Sequence, residues 1–456
     1  MKLFMKARIL LIRRILLGLV SAVVFAFSTT INTSFAETID AKADFSKKDI
    51  TALVTTNSKS DLHEYFEYNL EWMFQRAPYI TIKHIENKYG INKSAEGFSP
   101  NFEVMEEKRY NYLVHYNLER SGDNITISYT LYDGLFQNSI LSNSLTAPVR
   151  EIQKLTGNIA HDIFTRITGE FGFFIGKAFY TERSKNTGFQ VVYSQAFNQR
   201  RTQYTDEKTM VTSPTYCDGG RKIYLSERQK YTMTISETDS RTGVKSFIKS
   251  LSNGIGEKSL SSPEIASDCS KILFVASEGG GAAIYMHNLR TKITTQVLKD
   301  GSLNTRPIFS NNNPNLIYYI SNKVGSTKIF KKYISSQSGT MISRGLGSYI
   351  YLSLSPDETK IAFVKVFGGK FYLGVMKANG SGETLLKEGY IIEAPSWTPT
   401  GTNVIASFQL DKSGTRRIYS VSTVTGYAYP LKISQGNIVQ ANWLVDSNDY
   451  IQKNSN

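Results

Sequence analysis

The sequence is poor in the residues and motifs on which most enzymes depend. It contains five histidines, three tryptophans and two cysteines among 456 residues. It has no G-x-S-x-G elbow, no phosphate-binding P-loop, no G-x-G-x-x-G fingerprint and no H-E-x-x-H zinc motif. These absences argue against serine hydrolase, nucleotide-dependent, dinucleotide-dependent and zincin chemistry. We therefore expect no catalytic residues, no cofactor, no metal and no enzymatic activity.

The histidines form no recognisable metal motif. His63-Glu64-x-x-Glu67 is the nearest arrangement, because it places a His and a Glu on one helical face, but no third ligand lies nearby in the sequence. We interpret it as a solvated helix face. We interpret His161-Asp162 as a surface pair, since neighbours in sequence do not face each other on a helix.

Long apolar runs are also scarce. One run of thirteen residues, from Ile15 to Phe27, follows a basic start and precedes the small-x-small site Ser34-Phe35-Ala36. It is too short to cross a bilayer, so residues 1–36 are predicted to be a secretory signal peptide. No cysteine follows the cleavage site, so no lipid anchor is indicated. We expect a soluble mature chain in the periplasm, without a transmembrane span.

The charge is basic but dispersed. Removal of the signal peptide takes away five basic residues and no acidic ones, so the formal charge falls from +14 to +9. A basic exported protein suits anionic lipid, peptidoglycan or acidic partners, or simply has a solvated surface rich in lysine. Because the basic residues form no run, and because of the compartment, we do not expect nucleic acid as a partner.

What the sequence does contain is a repeat. A turn followed by an apolar, β-branched strand, as in Ser353 to Lys365, recurs at separations of 49, 44, 45, 43 and 47 residues. We mark each copy by the residue nine positions before the start of its second strand. The marker residues and the strand starts are Pro214 with Ile223, Pro263 with Ile272, Pro307 with Leu316, Leu352 with Ile361, Pro395 with Val404, and Asn442 with Ile451. A period of about 40–50 residues is typical of β-propeller blades. A β-sandwich is the alternative, but it has no reason to keep this period.

The two ends of the repeat region predict how the ring closes. Three strand-like segments, Lys177 to Thr181, Phe189 to Ser194 and Arg201 to Thr205, precede the first complete repeat and lack an inner strand. The last repeat has an inner strand at Gln440 to Val445 and little after it. We therefore predict that the C-terminal strand completes the N-terminal blade, which gives a six-bladed propeller over residues 170–452 and a tail at 453–456.

A different pattern precedes the propeller. Residues 37–48 are short, polar and without period, which predicts a flexible arm. Residues 49–169 alternate strands with helices and predict a small α/β domain. The predicted elements are strands at Ile50 to Thr55, Ile80 to Ile82, Tyr110 to Leu118 and Ile125 to Tyr132, a helix at Leu62 to Phe74, and a helix that Pro148 opens after a Thr146 cap and that stops at Gly169.

The two cysteines, Cys217 and Cys269, fall in equivalent turns of successive blades. Successive blades are neighbours, so a disulfide is geometrically possible in an oxidising compartment. Their offsets from the blade markers differ, however, and two free thiols remain the alternative.

Several segments resemble the TolB family of periplasmic propeller proteins of the Tol-Pal envelope system. Arg150 to Phe174 resembles that family's junction helix, and Tyr112 to Asp133 resembles the hairpin before it. Ser355-Pro356-Asp357 and the segment from Pro395 to Gly401 resemble its Pro-x-Trp-Ser-Pro-Asp-Gly turns. Most other blade turns depart from that motif, and His161 abuts Asp162 where the family has the acidic residue four positions later.

The resemblance implies a monomeric, non-catalytic scaffold that supports outer-membrane integrity and envelope constriction at cell division. It implies binding of the peptidoglycan-associated lipoprotein Pal, and of other outer-membrane lipoproteins, at one mouth of the propeller. It also implies binding of TolA through the arm. The implied mouth residues are Lys258, Ser259, Ser261, Asn304, Thr305, Arg306 and Glu393, and the implied arm residues are Glu37, Thr38, Ile39 and Asp40.

Two other functions remain open from the sequence. An exported propeller enzyme acting on an envelope glycan or peptide would need converging carboxylates or a His on the inner strands. The other is a sensor or substrate-binding propeller for a small ligand. The inner-strand positions that the repeat assigns are mostly apolar or small, which favours the protein-binding scaffold.

Overall fold

A computed structural model of the chain describes residues 50–56, 61–75, 77, 80–84, 98–196, 200–229, 232–248, 259–278, 280–433, 436–445 and 449–451. The predicted signal peptide, arm and C-terminal tail lie outside these residues.

The first folded region is a five-stranded sheet with helices packed on it. Its strands are β1 (Ile50–Thr56), β2 (Ile80–His84), β3 (Tyr112–Ser121), β4 (Asn124–Asp133) and β5 (Asn138–Pro148), in the order β2-β1-β3-β4-β5. Its helices are α1 (Asp61–Phe74), α2 (Phe102–Glu107) and α3 (Ile152–Thr168). Strand β1 is parallel to β2 and β3, and the remaining pairs are antiparallel. Helices α1 and α3 share one apolar core with the sheet.

The start of α3 differs from its prediction. Thr146 does not cap the helix; it belongs to β5, and its hydroxyl lies 2.8 Å from that of Thr126. A 3₁₀ turn at Val149–Glu151 leads into α3 instead. The sequence reading missed β5 because its burial is irregular, so its residues show no clean alternation. The C-terminal prediction is confirmed, since Gly169 ends α3 in a left-handed conformation at φ 71°.

Two histidines interpreted as surface residues are buried. His63 is 5% exposed, and its Nδ1 lies 3.2 Å from the hydroxyl of Tyr116, which itself donates to Glu67 at 2.9 Å. His161 is 9% exposed, with Nδ1 2.7 Å from the carbonyl oxygen of Gly172. Both interpretations are therefore wrong, because the helices turn these side chains towards the sheet and the junction.

Six four-stranded antiparallel sheets follow, and they are the six predicted blades. Blade 1 contains β29 (Asn437–Leu444), β6 (Lys177–Arg183), β7 (Gln190–Ala196) and β8 (Thr202–Gln203); blade 2, β9 (Val211–Cys217), β10 (Lys222–Gln229), β11 (Thr232–Asp239) and β12 (Lys245–Phe247); blade 3, β13 (Leu260–Ile265), β14 (Lys271–Glu278), β15 (Gly281–Asn288) and β16 (Thr294–Leu298); blade 4, β17 (Asn304–Phe309), β18 (Leu316–Val324), β19 (Ser326–Tyr333) and β20 (Thr340–Met341); blade 5, β21 (Ser348–Leu354), β22 (Lys360–Phe367), β23 (Lys370–Lys377) and β24 (Thr384–Gly389); and blade 6, β25 (Ile391–Trp397), β26 (Asn403–Gln409), β27 (Arg417–Ser422) and β28 (Ala428–Pro430).

The ring closes as predicted. The C-terminal strand β29 pairs antiparallel with β6 from Asn437↔Arg183 to Leu444↔Lys177, and it thereby supplies the inner strand of blade 1. The last marker pair is the exception, because Ile451 starts no strand. Its backbone N–H donates to Asn158 Oδ1 at 3.0 Å, so the end of the described chain lies against α3 instead.

The α/β region meets the propeller where the inner strand of blade 1 ends. Trp443 Nε1 donates to the carbonyl oxygen of Ile175 at 2.8 Å, and its ring packs edge-on against Phe173. Asn403, at the start of the second strand of blade 6, donates to Glu170 at 3.2 Å. Burial raises the pKa of Glu170. The junction therefore occupies the end of the ring away from the starts of the inner strands.

Candidate functional site

A cavity of about 260 Å³ lies on the axis of the propeller. Its lining comes from the first strand of every blade, which identifies those strands as the inner ones. Neighbouring strands in a blade alternate in direction. One end of the ring therefore carries the starts of the inner strands, the loops that enter them, and the turns between second and third strands. We call that end the mouth.

The inner strands share an unusual backbone. Four non-glycine residues at the same place in the repeat adopt positive φ directly before a proline: Ser213, Ser262, Arg306 and Ala394, at 52°, 48°, 51° and 49°. Each lies in a β-bulge, where the residue and its proline oppose a single residue of the second strand. L-residues seldom adopt this conformation, and its cost is of order 1–3 kcal/mol at each site. The surrounding sheet must therefore hold these channel-lining segments in place.

Side-chain hydrogen bonds link the inner strands of neighbouring blades. Gln440 donates to the carbonyl oxygen of Pro214 at 2.9 Å, between blades 1 and 2. Asn442 donates to Ser396 at 3.1 Å, between blades 1 and 6. Trp397 donates to the carbonyl oxygen of Ser353 at 3.0 Å, between blades 6 and 5. These bonds join blade 1, which contains the non-covalent closure, to blades 2 and 6, and they join blade 6 to blade 5.

A cluster at the mouth joins two of the residues implied by the family resemblance. The guanidinium carbon of Arg306 lies 4.2 Å from the ring centre of Tyr351, a cation–π contact. Glu393 forms an ion pair with Arg416. Burial raises the pKa of the Tyr351 hydroxyl, and the positive charge of Arg306 partly offsets this rise. The charge of Glu393 raises the same pKa and the charge of Arg416 lowers it. Tyr351 therefore connects blade 4 with blade 6 through blade 5.

The other implied mouth residues lie apart from this cluster. Ser259 belongs to the blade 2–3 boundary, where its hydroxyl accepts from the Met233 N–H at 3.2 Å, and Ser261 is half-buried in β13. Blade 3 lies across the ring from blade 6, so neither serine meets Glu393. Thr305 is half-buried in β17 beside Arg306. Lys258 and the arm residues 37–40 lie outside the described residues.

Asn304 is another of the implied mouth residues. It is fully buried, and its Nδ2 donates to Asp300 Oδ1 at 2.8 Å. The side chain thus holds the loop that enters blade 4. Buried in this way, Asn304 positions the mouth and presents no surface to a partner.

Sequence reasoning missed Glu264, the carboxylate in the channel lining. Its Oε2 accepts from Thr215 Oγ1 at 3.3 Å, from the neighbouring blade. Burial raises its pKa from 4.5 to about 7. Glu264 directly follows the marker Pro263, so its position on an inner strand could be predicted from the sequence. Its partial burial in a narrow channel could not. Tyr351 and Arg416 were missed because only the folded ring brings them to Arg306 and Glu393.

Cys217 and Cys269 are joined by a disulfide, with their Cα atoms 5.9 Å apart. It ties blades 2 and 3 at the end away from the mouth. Within the described residues, no group of three or more His, Cys, Asp or Glu side chains is placed to hold a metal ion. None of the helices in the described ranges has both the length and the apolar character that crossing a membrane requires.

Comparison with known proteins places the repeat region in a family context. The family model described as the TolB beta propeller domain matches residues 164–446. The Tol-Pal system protein TolB of Rickettsia bellii is 26% identical over 176 residues, 38% of this chain and 38% of that protein. The corresponding protein of the Wolbachia strain from Drosophila simulans is 48% identical over 59 residues, 13% of this chain and 14% of that protein. The chain thus matches little more than a third of the length of the Rickettsia relatives.

A solved structure resembles the whole architecture. The crystal structure of TolB from Acinetobacter baumannii superimposes with a TM-score of 0.71 over 87% of this chain and 96% of that one, at 20% sequence identity. At that identity the likeness concerns the fold, an α/β region followed by a six-bladed ring.

Proposed function

Because this chain belongs to the TolB β-propeller family, we propose that it is a non-catalytic scaffold of a Tol-Pal system in the periplasm. The observation that carries the proposal is the match to the TolB propeller model over residues 164–446, a span that includes the end of α3, the junction and all six blades. The names of the curated relatives, which describe components of the Tol-Pal system, support it further.

The propeller mouth is the proposed site for the peptidoglycan-associated lipoprotein. Arg306 and Arg416 provide cations there, Glu393 provides a carboxylate, and Tyr351 provides an aromatic face between them. Arginine and tyrosine are the residue types that most often dominate protein interfaces. The cation–π contact and the ion pair already order these side chains, so binding would cost little further side-chain entropy.

The arm, residues 37–48, is the proposed site for TolA, with Glu37, Thr38, Ile39 and Asp40 at its start. The corresponding division of the chain is a signal peptide at 1–36, the arm, an α/β domain at 49–169, the propeller at 170–452 and a tail at 453–456. In this arrangement one partner binds before the folded regions and the other binds at the propeller mouth. The protein thereby supports outer-membrane integrity and envelope constriction during division.

Titration calorimetry with the soluble domain of the organism's own peptidoglycan-associated lipoprotein tests the mouth. We expect Arg306→Ala to weaken binding about tenfold, as loss of one central arginine contact commonly does. The matched control is Arg290→Ala, an exposed arginine in the turn between the third and outer strands of blade 3, at the other end of the ring. If mature wild-type protein, residues 37–456, fails to bind the lipoprotein, the proposal is wrong.

Deletion of residues 37–48 tests the arm. We expect the melting temperature to stay nearly unchanged, TolA binding to disappear and lipoprotein binding to persist. A large fall in the melting temperature would show that the arm is packed structure. Retained TolA binding would place that site elsewhere.

One observation favours a second candidate, a small ligand in the channel. Glu264 is a partly buried carboxylate in a cavity otherwise lined by uncharged side chains and Arg306. A thermal-shift screen of muropeptides and small cations separates the two functions. A ligand whose stabilising effect is lost in Glu264→Gln would support the second candidate.

A further inference from the structure

A set of exposed apolar side chains borders the mouth along blades 4, 5 and 6. Its members come in pairs. One, the loop member, lies in the loop that enters the inner strand, and the other, the turn member, is the last residue of the second strand or the first residue of the turn that follows it. We call the set the apolar crescent: Leu303 and Val324 in blade 4, Leu346 and Phe367 in blade 5, and Tyr390 and Leu410 in blade 6.

The crescent follows the blade repeat. Its loop members are 43 and 44 residues apart, and its turn members are 43 residues apart. Their exposed fractions are 45%, 53%, 72%, 45%, 46% and 47% in the order of the pairs. The described parts of the equivalent turns of blades 1 and 2 expose polar residues, Asn186, Thr187 and Gln229, and Phe189 in the blade 1 turn is half-buried. Met210, in the loop that enters blade 2, is 36% exposed.

The fold holds the crescent rigidly. Lys328 Nζ donates to the carbonyl oxygens of Gly345 and Gly347 at 2.6 and 2.9 Å, on both sides of Leu346. Gly347 has φ 87°, and a Cβ there would lie 2.4 Å from the carbonyl oxygen of Val366, so the loop lies tightly against the Phe367 turn. This glycine allows Leu346 and Phe367 to present one surface.

The other two pairs are fixed by backbone contacts. The Leu303 N–H donates to Asn322 Oδ1 at 2.8 Å, two residues from Val324. The Tyr390 N–H donates to the Gln409 carbonyl oxygen at 2.9 Å, one residue from Leu410. An apolar surface that is already ordered loses little side-chain entropy on binding.

The charge around the crescent is positive. Three carboxylates at this side of the mouth face cations: Asp300 lies 3.5 Å from Lys323, Glu388 lies 2.7 Å from Lys370, and Glu393 pairs with Arg416. A fourth, Asp411 beside Leu410, accepts from the Ser413 N–H at 3.0 Å instead. Arg344 and Lys412 are exposed beside Leu346 and Leu410, and neither has a carboxylate partner among the described residues. A partner whose surface is complementary to the crescent would therefore have an apolar surface bordered by Asp or Glu.

We propose that the apolar crescent docks a folded protein whose contact surface is an apolar patch bordered by carboxylates. This inference rests on the proposed function, since it specifies the part of the mouth that the lipoprotein covers. A bilayer fits less well, because five of the six side chains are about half-exposed and lie along the surface. Insertion into lipid favours projecting side chains such as Leu135 and Phe136, which are 83% and 73% exposed in the α/β region.

The test compares two double variants of the mature protein in calorimetry with the lipoprotein's soluble domain. Leu346→Ser with Phe367→Ser should weaken binding about tenfold or more, since buried apolar anchors dominate interfaces. Ile293→Ser with Val424→Ser is the matched control, because both side chains are more than 60% exposed at the end away from the mouth. The control should stay within about twofold of wild type, as surface substitutions usually do.

A charge variant provides a second measurement. Arg344→Glu with Lys412→Glu should lower the association rate, and the loss should shrink as salt is added. Circular dichroism confirms that each variant is folded.

Three outcomes would overturn the inference. If wild type binds the lipoprotein and the Leu346/Phe367 variant binds equally well, the crescent is not the docking surface, although the proposed function stands. If wild type does not bind at all, the proposed function itself fails. If the variant loses affinity only for vesicles of phosphatidylethanolamine and phosphatidylglycerol, or only for a second copy of the chain in sedimentation, the crescent serves lipid or self-association instead.

Discussion

Substituting Glu264 with glutamine should change how the stability of the propeller depends on pH. The folded channel raises the pKa of this carboxyl from 4.5 to about 7, because burial penalises the charged form. A group whose folded pKa is raised binds its proton more tightly in the folded state. Folding is therefore favoured at low pH, and that contribution is lost as the pH rises from 4.5 towards 7.

The magnitude follows from the size of the pKa change. Each pKa unit corresponds to about 1.4 kcal/mol, so the ceiling is about 3 kcal/mol. Glu264 lines an open channel and keeps a hydrogen bond from Thr215, so solvent screening reduces this figure. We expect wild type to lose about 1–2 kcal/mol between pH 5 and pH 8 relative to Glu264→Gln, which carries no charge at either pH.

Urea denaturation at pH 5 and pH 8, followed by tryptophan fluorescence, measures the difference. Glu388→Gln is the control, because this exposed carboxyl pairs with Lys370, which lowers its pKa, and so titrates below that pH range. Its stability should therefore follow that of wild type from pH 5 to pH 8. Parallel curves for wild type and Glu264→Gln would show that the channel does not desolvate Glu264, and would remove the basis for the second candidate function.

Two further predictions concern how the ring is held together. The disulfide closes a loop with a sequence separation of 52, so Cys217→Ala with Cys269→Ala should lower the free energy of unfolding by about 2–4 kcal/mol; reduced wild type should match the variant in urea denaturation, and an unchanged midpoint would contradict the prediction. Trp443→Phe keeps the contact with Phe173 but leaves the Ile175 carbonyl oxygen without its donor, so it should cost about 1–2 kcal/mol. Trp397→Phe in blade 6, which removes the equivalent bond to the Ser353 carbonyl oxygen of blade 5, is its comparison, and no loss in either variant would show that water replaces both bonds.

The propeller could be predicted because its physical cause is local and repeated. A blade cannot bury its faces alone, so each copy of the sequence must carry the same turn and the same apolar strand. The closure of the ring could also be predicted, because the segment from 177 to 205 lacks an inner strand and the segment that starts at 440 supplies one. Aspartates stabilise the blade turns locally, since Asp357 accepts from the Thr359 N–H at 3.1 Å and Asp268 accepts from the Ser270 N–H at 3.0 Å.

The α/β region was harder to predict because it has no repeat to check each element. His63 looked like part of a polar helix face, yet the sheet beneath α1 brings Tyr116 to its ring. His161 looked like a surface residue, yet the chain after α3 turns back so that the Gly172 carbonyl oxygen covers it. Both outcomes depend on where a distant segment packs, which helical periodicity does not encode.

Residue spacing alone predicts the number of blades, the order of the two folded regions and the closure of the ring, because near-regular spacing and strand alternation are properties of neighbouring residues. The surroundings of the implied mouth residues depend instead on how the blades pack. Closing the ring buried Asn304, placed Arg306 and Glu393 on the two sides of Tyr351, and left six apolar side chains exposed along blades 4 to 6. The reason is that a mouth is formed by loops from different blades, and their distances in space are set by the packing of whole sheets.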